Sequence, residues 1–186
     1  MKNVLMVVSG PSGVGKGTLV KRLCKERDDV VESVSCTTRL PREGEVHGRE
    51  YFFITKEEFN ARIQADDFLE YDNHFENFYG TPKSFVKKQL EEKSVVLEID
   101  VNGGLSVKKA FPDCALVMIV PPSKEELKAR LKGRSSETEE QIEKRLSRLE
   151  FELSKQELYD YVIVNDDLET ALLELGKVID MEKAAK

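Results

Sequence analysis

The sequence predicts an α/β protein: a parallel β-sheet flanked by helices, with a small mixed α/β lobe inserted into it and a helical lid. Three observations carry that prediction. An apolar strand, Val4–Ser9, runs into a glycine-rich turn and then a helical pattern at the start of the chain. From residue 94 onward, apolar runs of strand length alternate with helical stretches, which is the signature of parallel strands joined by crossover helices. Between these, residues 35–84 break the rhythm with short strands and polar turns.

Taken in order, the first strand is followed by a helix over about residues 16–27. Val30–Cys36 reads as one strand by its β-branched residues. Thr37–Gly44 is polar with Pro and Gly, hence a loop. Glu50–Ile54 reads as a short strand, and Thr55 stands three residues before Glu58, the spacing of a capping box. Phe59, Ile63 and Ala65 then suit one face of an amphipathic helix. Phe68–Tyr71 and Asn77–Gly80 read as paired strands or turns, and residues 82–92 as a helix with Pro82 in its first turn. Ser94–Ile99 is a strand ending at Asp100, followed by a helix to about Ala110. Ala115–Val120 is a strand stopped by Pro121-Pro122, with Ser123 capping a helix to about Lys132. A polar helix is expected from about Ser136 to Glu157, a last strand at Tyr161–Val164 and a last helix over Leu168–Glu182. One domain results, with residues 1–34 and 85–186 as its core, 35–84 as the inserted lobe and the charged stretch 133–145 as a lid.

The turn after the first strand is Gly10-Pro11-Ser12-Gly13-Val14-Gly15-Lys16-Gly17-Thr18. Strand, glycine-rich turn, lysine and helix form a phosphate-binding loop, so the architecture is of the P-loop NTPase type. Its backbone N–H groups converge on one anion, the helix adds the positive end of its dipole, and Lys16 reaches outer phosphates. Gly17 directly follows the lysine and the hydroxyl comes one place later, at Thr18, which leaves open whether Thr18 meets a metal directly or through water. The loop predicts nucleotide binding without choosing the reaction.

Composition narrows the classes. The chain has 186 residues, 40% of them hydrophobic and 34% charged, as in an ordinary globule. No apolar run approaches the ~20 residues that cross a bilayer. Met1-Lys2-Asn3 leads straight into the first strand, so no leader and a cytoplasmic location are expected. Cys24, Cys36 and Cys114 show neither metal nor disulfide spacing and read as reduced, packed thiols. Two histidines speak against a histidine triad or zinc site. A net charge of −6 argues against nucleic acid as the main partner.

A second constellation follows the loop. Ser35-Cys36-Thr37-Thr38-Arg39-Leu40-Pro41-Arg42 gathers hydroxyls and two arginines, and Gly44–Phe53 follows at once. Together with the loop at 10–18, Thr37–Glu45, Asn77-Phe78-Tyr79-Gly80, Leu97-Glu98-Ile99-Asp100, Pro121-Pro122-Ser123 and Val164–Asp167, this resembles the guanylate kinase family over nearly the whole chain. The resemblance implies transfer of phosphate from ATP to GMP, and to dGMP as well, within purine nucleotide metabolism, with Mg²⁺ carried by ATP. It implies ATP contacts at the loop and at Asn165 and Asp166, and a GMP phosphate gripped by Arg39 and Arg42 with hydroxyls from Tyr51 and Tyr79. Guanine contacts map to Ser35, Glu70, Thr81 and Asp100. The catalytic set is Lys16, Arg39, Arg130, Arg134 and Arg145. Asp100 stays ambiguous between guanine, Mg²⁺-bound water and both, and Glu98 stands where many relatives carry aspartate.

The side-chain chemistry agrees. Arginine forks suit a phosphate dianion. Guanine offers donors at N1 and N2 for a carboxylate and an acceptor at O6 for a hydroxyl, whereas adenine reverses this polarity. ATP and GMP together carry roughly −6 at neutral pH. The named Lys and Arg side chains with one Mg²⁺ supply about +8, so the cations have an anionic tenant. Rival readings are a kinase for another phosphorylated acceptor such as AMP, a non-catalytic peptide-binding scaffold, and a nucleotide sensor without turnover. The first conflicts with Glu70 and Thr81, the second with the intact loop, the third with Arg134 and Arg145. Partners are then small molecules, with no membrane, and the chain is a monomer or homodimer.

Overall fold

The computed structural model describes residues 2–74, 76–132 and 147–185, without the side chains of residues 74 and 130–132. β1 (Leu5–Ser9) is buried at every residue, because it is the middle strand of a five-stranded sheet. β7 (Ser94–Glu98) pairs with it on one side and β8 (Ala115–Val120) on the other. β2 (Val30–Glu32) lies outside β7 and β9 (Tyr161–Val164) outside β8. All these pairings are parallel, in the order β2-β7-β1-β8-β9. A parallel sheet is covered on both faces, which is why β1 and β8 read as unbroken apolar runs.

Helices fill both faces. α1 (Lys16–Glu26) and α7 (Leu168–Ala185) pack over Val4, Met6, Val8, Val117 and Ile119. The opposite face, with Leu5, Val7, Leu97, Leu116 and Met118, is covered by α3 (Lys83–Glu92) and α4 (Val101–Ala110). α5 (Lys124–Lys132) begins where Ser123 Oγ accepts from the Glu126 backbone at 3.0 Å. Residues 147–153 form α6. Among the described residues no helix is long and apolar enough to cross a membrane, and all three thiols are free.

A second sheet has the order β4 (Phe52–Phe53), β3 (Cys36–Thr37), β6 (Asn77–Pro82), β5 (Phe68–His74). β3 runs parallel to β4 and antiparallel to β6, which forms a hairpin with β5. α2 (Lys56–Gln64) closes this unit: Thr55 and Glu58 make the reciprocal capping box, and Phe59 stacks on Phe68 and Phe78.

Three expectations need correction. Val30–Cys36 is two strands in two sheets. Ser33 N still donates to Val96 O of the parallel sheet at 2.9 Å, while Ser35 O already accepts from Phe52 N at 2.8 Å. The chain therefore changes sheets at Val34. The polar helix expected to reach Glu157 stops near residue 153: Ser154 Oγ donates to Phe151 O at 2.7 Å, and a 3₁₀ turn, Gln156–Leu158, follows. Its start at Ser136 lies outside the described residues, as does the charged stretch 133–145. Ala65 is exposed beyond the end of α2, not on its buried face.

Candidate active site

The loop between β1 and α1 is shaped by close backbone approach. Gly10 has φ +142, and a Cβ there would lie 2.1 Å from the Ile119 carbonyl oxygen. Gly15 caps α1 in the left-handed region at φ +99. Lys16 folds back over the loop and donates to the carbonyls of Gly10 at 2.7 Å and Pro11 at 3.1 Å. From below, the buried Asn165 donates from Nδ2 to Val14 O at 2.7 Å, while its own N–H extends the β8–β9 ladder onto Val120 O. The result is an open cleft of about 390 Å³ lined by Ser12, Gly13, Lys16, Thr18, Lys21 and Glu98.

A second cleft, of about 230 Å³, opens beside the first; Ser33, Ser35, Tyr51, Thr81 and Glu98 are among its walls. Glu98, at the carboxyl end of β7, lines both. Such ends of parallel strands are where open α/β sheets build ligand sites. Gly17 packs against Glu98, whose carboxylate would lie 3.1 Å from a Cβ there.

At one side of the second cleft, Thr81 Oγ1 donates to Glu70 Oε1 at 2.6 Å and lies 3.4 Å from Ser35 Oγ. Burial pushes the Glu70 carboxyl above its ordinary range, more than the Thr81 hydrogen bond pulls it down, and the nearby Asp100 adds to the rise. Asp100 caps α4 by accepting from Gly103 N at 2.7 Å. Glu70 and Asp100 flank Gly103 closely enough that a Cβ there would stand 3.4 Å from an oxygen of each. Glu32, in the same cleft, is also pushed up, by burial and then by the charge of Glu98.

On the other side, the Arg39 guanidinium lies 5.6 Å from the centroid of Tyr51 and 5.7 Å from that of Phe53. Tyr51 and Tyr79 meet edge to face at 5.9 Å. Arg39 Nη2 donates to Glu45 Oε1 at 2.9 Å and Nη1 to Leu40 O at 2.8 Å. Arg42 is exposed on the adjoining loop, its backbone N–H on Glu45 Oε2 at 2.7 Å.

The structure thus brings Ser35, Thr81 and Glu70 together with Asp100 close by, and Arg39, Tyr51 and Tyr79 into a second group; of these, Ser35, Thr81 and Tyr51 line the second cleft. Asp166 is exposed at the turn before α7. Arg134 and Arg145 lie outside the described residues, as does the side chain of Arg130. Residues that the motifs did not single out are Glu32 and Ser33. Glu45 closes the Thr37–Glu45 run but carried no assigned role.

The oxygen donors beside the loop, Thr18 and Glu98, fit a hard divalent cation held mainly by substrate phosphates and water. Among the described residues no group of three or more His, Cys, Asp and Glu side chains forms an all-protein cage.

The guanylate kinase family model matches residues 2–182. A guanylate kinase of Caldanaerobacter subterraneus is 48% identical over 98% of this chain and 89% of its own. That of Clostridioides difficile is likewise 48% identical, with the same coverage. The crystal structure of guanylate kinase from Anaplasma phagocytophilum superposes with a TM-score of 0.75 at 33% identity, covering 97% of this chain and 86% of that one. A shikimate kinase from Bacteroides thetaiotaomicron, 15% identical with a TM-score of 0.52 over 95% of this chain and 98% of its own, shares the fold alone.

Proposed function

This chain belongs to the guanylate kinase family, enzymes that phosphorylate GMP to GDP with ATP, and from that premise we propose how its own residues divide the work. The observation that supports the division is the shared wall at Glu98 between the phosphate-loop cleft and the cleft lined by Ser35 and Thr81, the latter bonded to Glu70. Donor and acceptor sites adjoin there, as a direct transfer requires.

ATP places its β- and γ-phosphates against the N–H groups of residues 10–18, and Lys16 exchanges the Gly10 and Pro11 carbonyls for phosphate oxygens. GMP enters with its base toward Glu70. The carboxylate accepts from guanine N1–H and N2–H, and Ser35 or Thr81 donates to O6, Thr81 only by exchanging its bond to Glu70 for one to the base. Arg39, Arg42, Tyr51 and Tyr79 hold the acceptor phosphate. That phosphate is largely a dianion at neutral pH, its second pKa lying near about 6, so its oxygen attacks the γ-phosphorus without a general base, and ADP leaves in line. Thr18, with Glu98 or Asp100, would hold Mg²⁺ beside the phosphates, where it would supply charge neutralisation. Arg130, Arg134 and Arg145 stabilise the charge spread over the transferring group, a role that rests on the resemblance. The lobe of residues 35–84 closes over the substrates to exclude water; the stretch 133–145, expected as a lid, lies outside the described residues. dGMP carries the same base and phosphate and is read, with the resemblance, as a second acceptor.

The test is ADP production from MgATP with GMP, dGMP, AMP, CMP and UMP offered separately. Turnover with GMP and dGMP alone is the expected result. Comparable turnover with AMP would remove Glu70 as the base reader.

A further inference from the structure

Glu45 is an acid in a place where simple electrostatics argues against one. It stands against Arg39 in a loop whose proposed ligand is a phosphate dianion, so its charge opposes the ligand's. Its contacts indicate what offsets that cost. One carboxylate oxygen takes the Arg39 guanidinium at 2.9 Å, and the other takes the Arg42 backbone N–H at 2.7 Å. The Glu45 N–H in turn donates to Arg42 O at 3.1 Å. The backbone N–H and carbonyl of Arg42, and the head of Arg39, are therefore tied to one residue. The pair is well shielded for a surface loop, with the Arg39 and Glu45 side chains only 16% and 19% exposed.

We infer that Glu45 is a positioning residue that sets the two arginines at one spacing, so that both face the acceptor phosphate. The inference rests on the reading of Arg39 and Arg42 as the phosphate grip. An arginine is flexible, and ordering it costs side-chain entropy. A carboxylate that holds its head before the ligand arrives means that cost is met in folding rather than in binding. The guanidinium keeps N–H groups for a second acceptor, because its planar fork serves more than one oxygen. Glutamine cannot replace the acid fully. Its amide has one acceptor oxygen and one NH₂, and both partners in this structure, Arg39 Nη2 and Arg42 N, are donors.

The experiment titrates GMP and guanosine into the wild-type protein and into Glu45→Ala, Glu45→Gln and Arg39→Ala. Guanosine carries the base and sugar without the phosphate. Glu45→Ala is expected to weaken GMP by about tenfold or more while guanosine stays within about twofold, with Glu45→Gln between wild type and alanine. The affinity for ATP should stay at the wild-type value in both Glu45 variants. If GMP binding is unchanged in Glu45→Ala, or if guanosine weakens in parallel with GMP, Glu45 serves the loop in general and the inference is wrong. If Arg39→Ala binds GMP as tightly as wild type, the phosphate-grip reading fails first, whatever the Glu45 variants do.

Discussion

Thr81 donates its hydroxyl proton to Glu70 across the hairpin at 2.6 Å, joining a fully buried hydroxyl to a carboxyl whose ionisation burial resists. The sign of the resulting pH dependence follows. The folded carboxyl holds a proton that the unfolded chain has already released, so this group's contribution to stability falls as pH rises from about 4.3, the unfolded value, through the raised folded value. GMP binding needs the ionised form and so strengthens over the same folded transition. The KM for GMP should therefore fall with rising pH in the weakly acidic range. Glu70→Gln should raise that KM by ~10–100-fold, the equivalent of ~1–3 kcal/mol for mismatched buried groups. It should also lose the Glu70 limb of the profile, keeping only that of the acceptor phosphate. An unaltered profile in the variant would place the titration elsewhere.

Asn165 lies under the phosphate loop. Its buried amide supports the loop carbonyl of Val14, and Gly15 leaves the room it occupies, since a Cβ there would stand 2.6 Å from Nδ2. Asn165→Ala leaves that carbonyl without this donor and should cost ~1–3 kcal/mol. The loss should show mainly as a raised KM for ATP. Steady-state kinetics with each substrate varied will check this, and an equal rise for GMP would contradict it.

Much of the fold was readable because the relevant signals are local. Ala115–Val120 and Tyr161–Val164 are strands to the residue, their apolar runs being bounded by Pro121-Pro122 and Asn165-Asp166. Thr55 and Glu58 cap α2 as their spacing predicts. The switch of sheets at Val34 was not readable, since β-branched residues suit either sheet and only the partners of Ser33 and Ser35 divide them. The acceptor cleft was equally hidden from local reading. Ser35 and Thr81 are 46 residues apart and Thr81 and Glu70 are 11 apart, so the resemblance, not spacing, suggested their meeting. Glu45 closes the Thr37–Glu45 run, but its tie to Arg39 and Arg42 lies in a loop conformation that spacing does not give.

A different network should affect stability and spare turnover. Arg27, just after α1, grips Asp29 with two nitrogens at 3.0 and 2.8 Å and reaches Asp180 on α7 at 2.8 Å. Lys183 adds a bond to Asp29 at 2.6 Å. Arg27 first and Lys183 second hold the Asp29 carboxyl well below the usual carboxylate range. A depressed folded value contributes stability that is present above about 3.9, the unfolded value, and is lost as pH falls through the folded one. Because Asp29 is half exposed, Asp29→Asn should cost only about 1 kcal/mol at neutral pH. Urea unfolding should show that difference shrinking in acid, with kcat unchanged.

Arg134→Ala and Arg145→Ala test the remaining catalytic roles. An arginine that meets charge developing in the transition state lowers kcat when removed, by on the order of 10²–10³-fold for strong cases. The KM for GMP should change much less, because these arginines are assigned to the transferring group and not to the acceptor. Rapid-quench measurement of the transfer step separates this from slow product release. An unchanged rate in either variant removes that residue from the mechanism.

Two glycines with positive φ offer a final, internally controlled test. Gly44 has φ +84 with open space where a Cβ would go, whereas Gly10 combines φ +142 with the Ile119 carbonyl only 2.1 Å from that point. Alanine at position 44 incurs backbone strain alone, about 1 kcal/mol. Alanine at position 10 adds a collision with a buried strand that can yield only by moving β1 away from β8, and overpacking of that kind costs a further ~1–3 kcal/mol. Gly10→Ala should therefore unfold at clearly lower urea than Gly44→Ala and lose ATP binding even where it remains folded, because the first turn of the phosphate loop has shifted. Equal midpoints for the two variants would mean that the close approach at Ile119 relaxes freely.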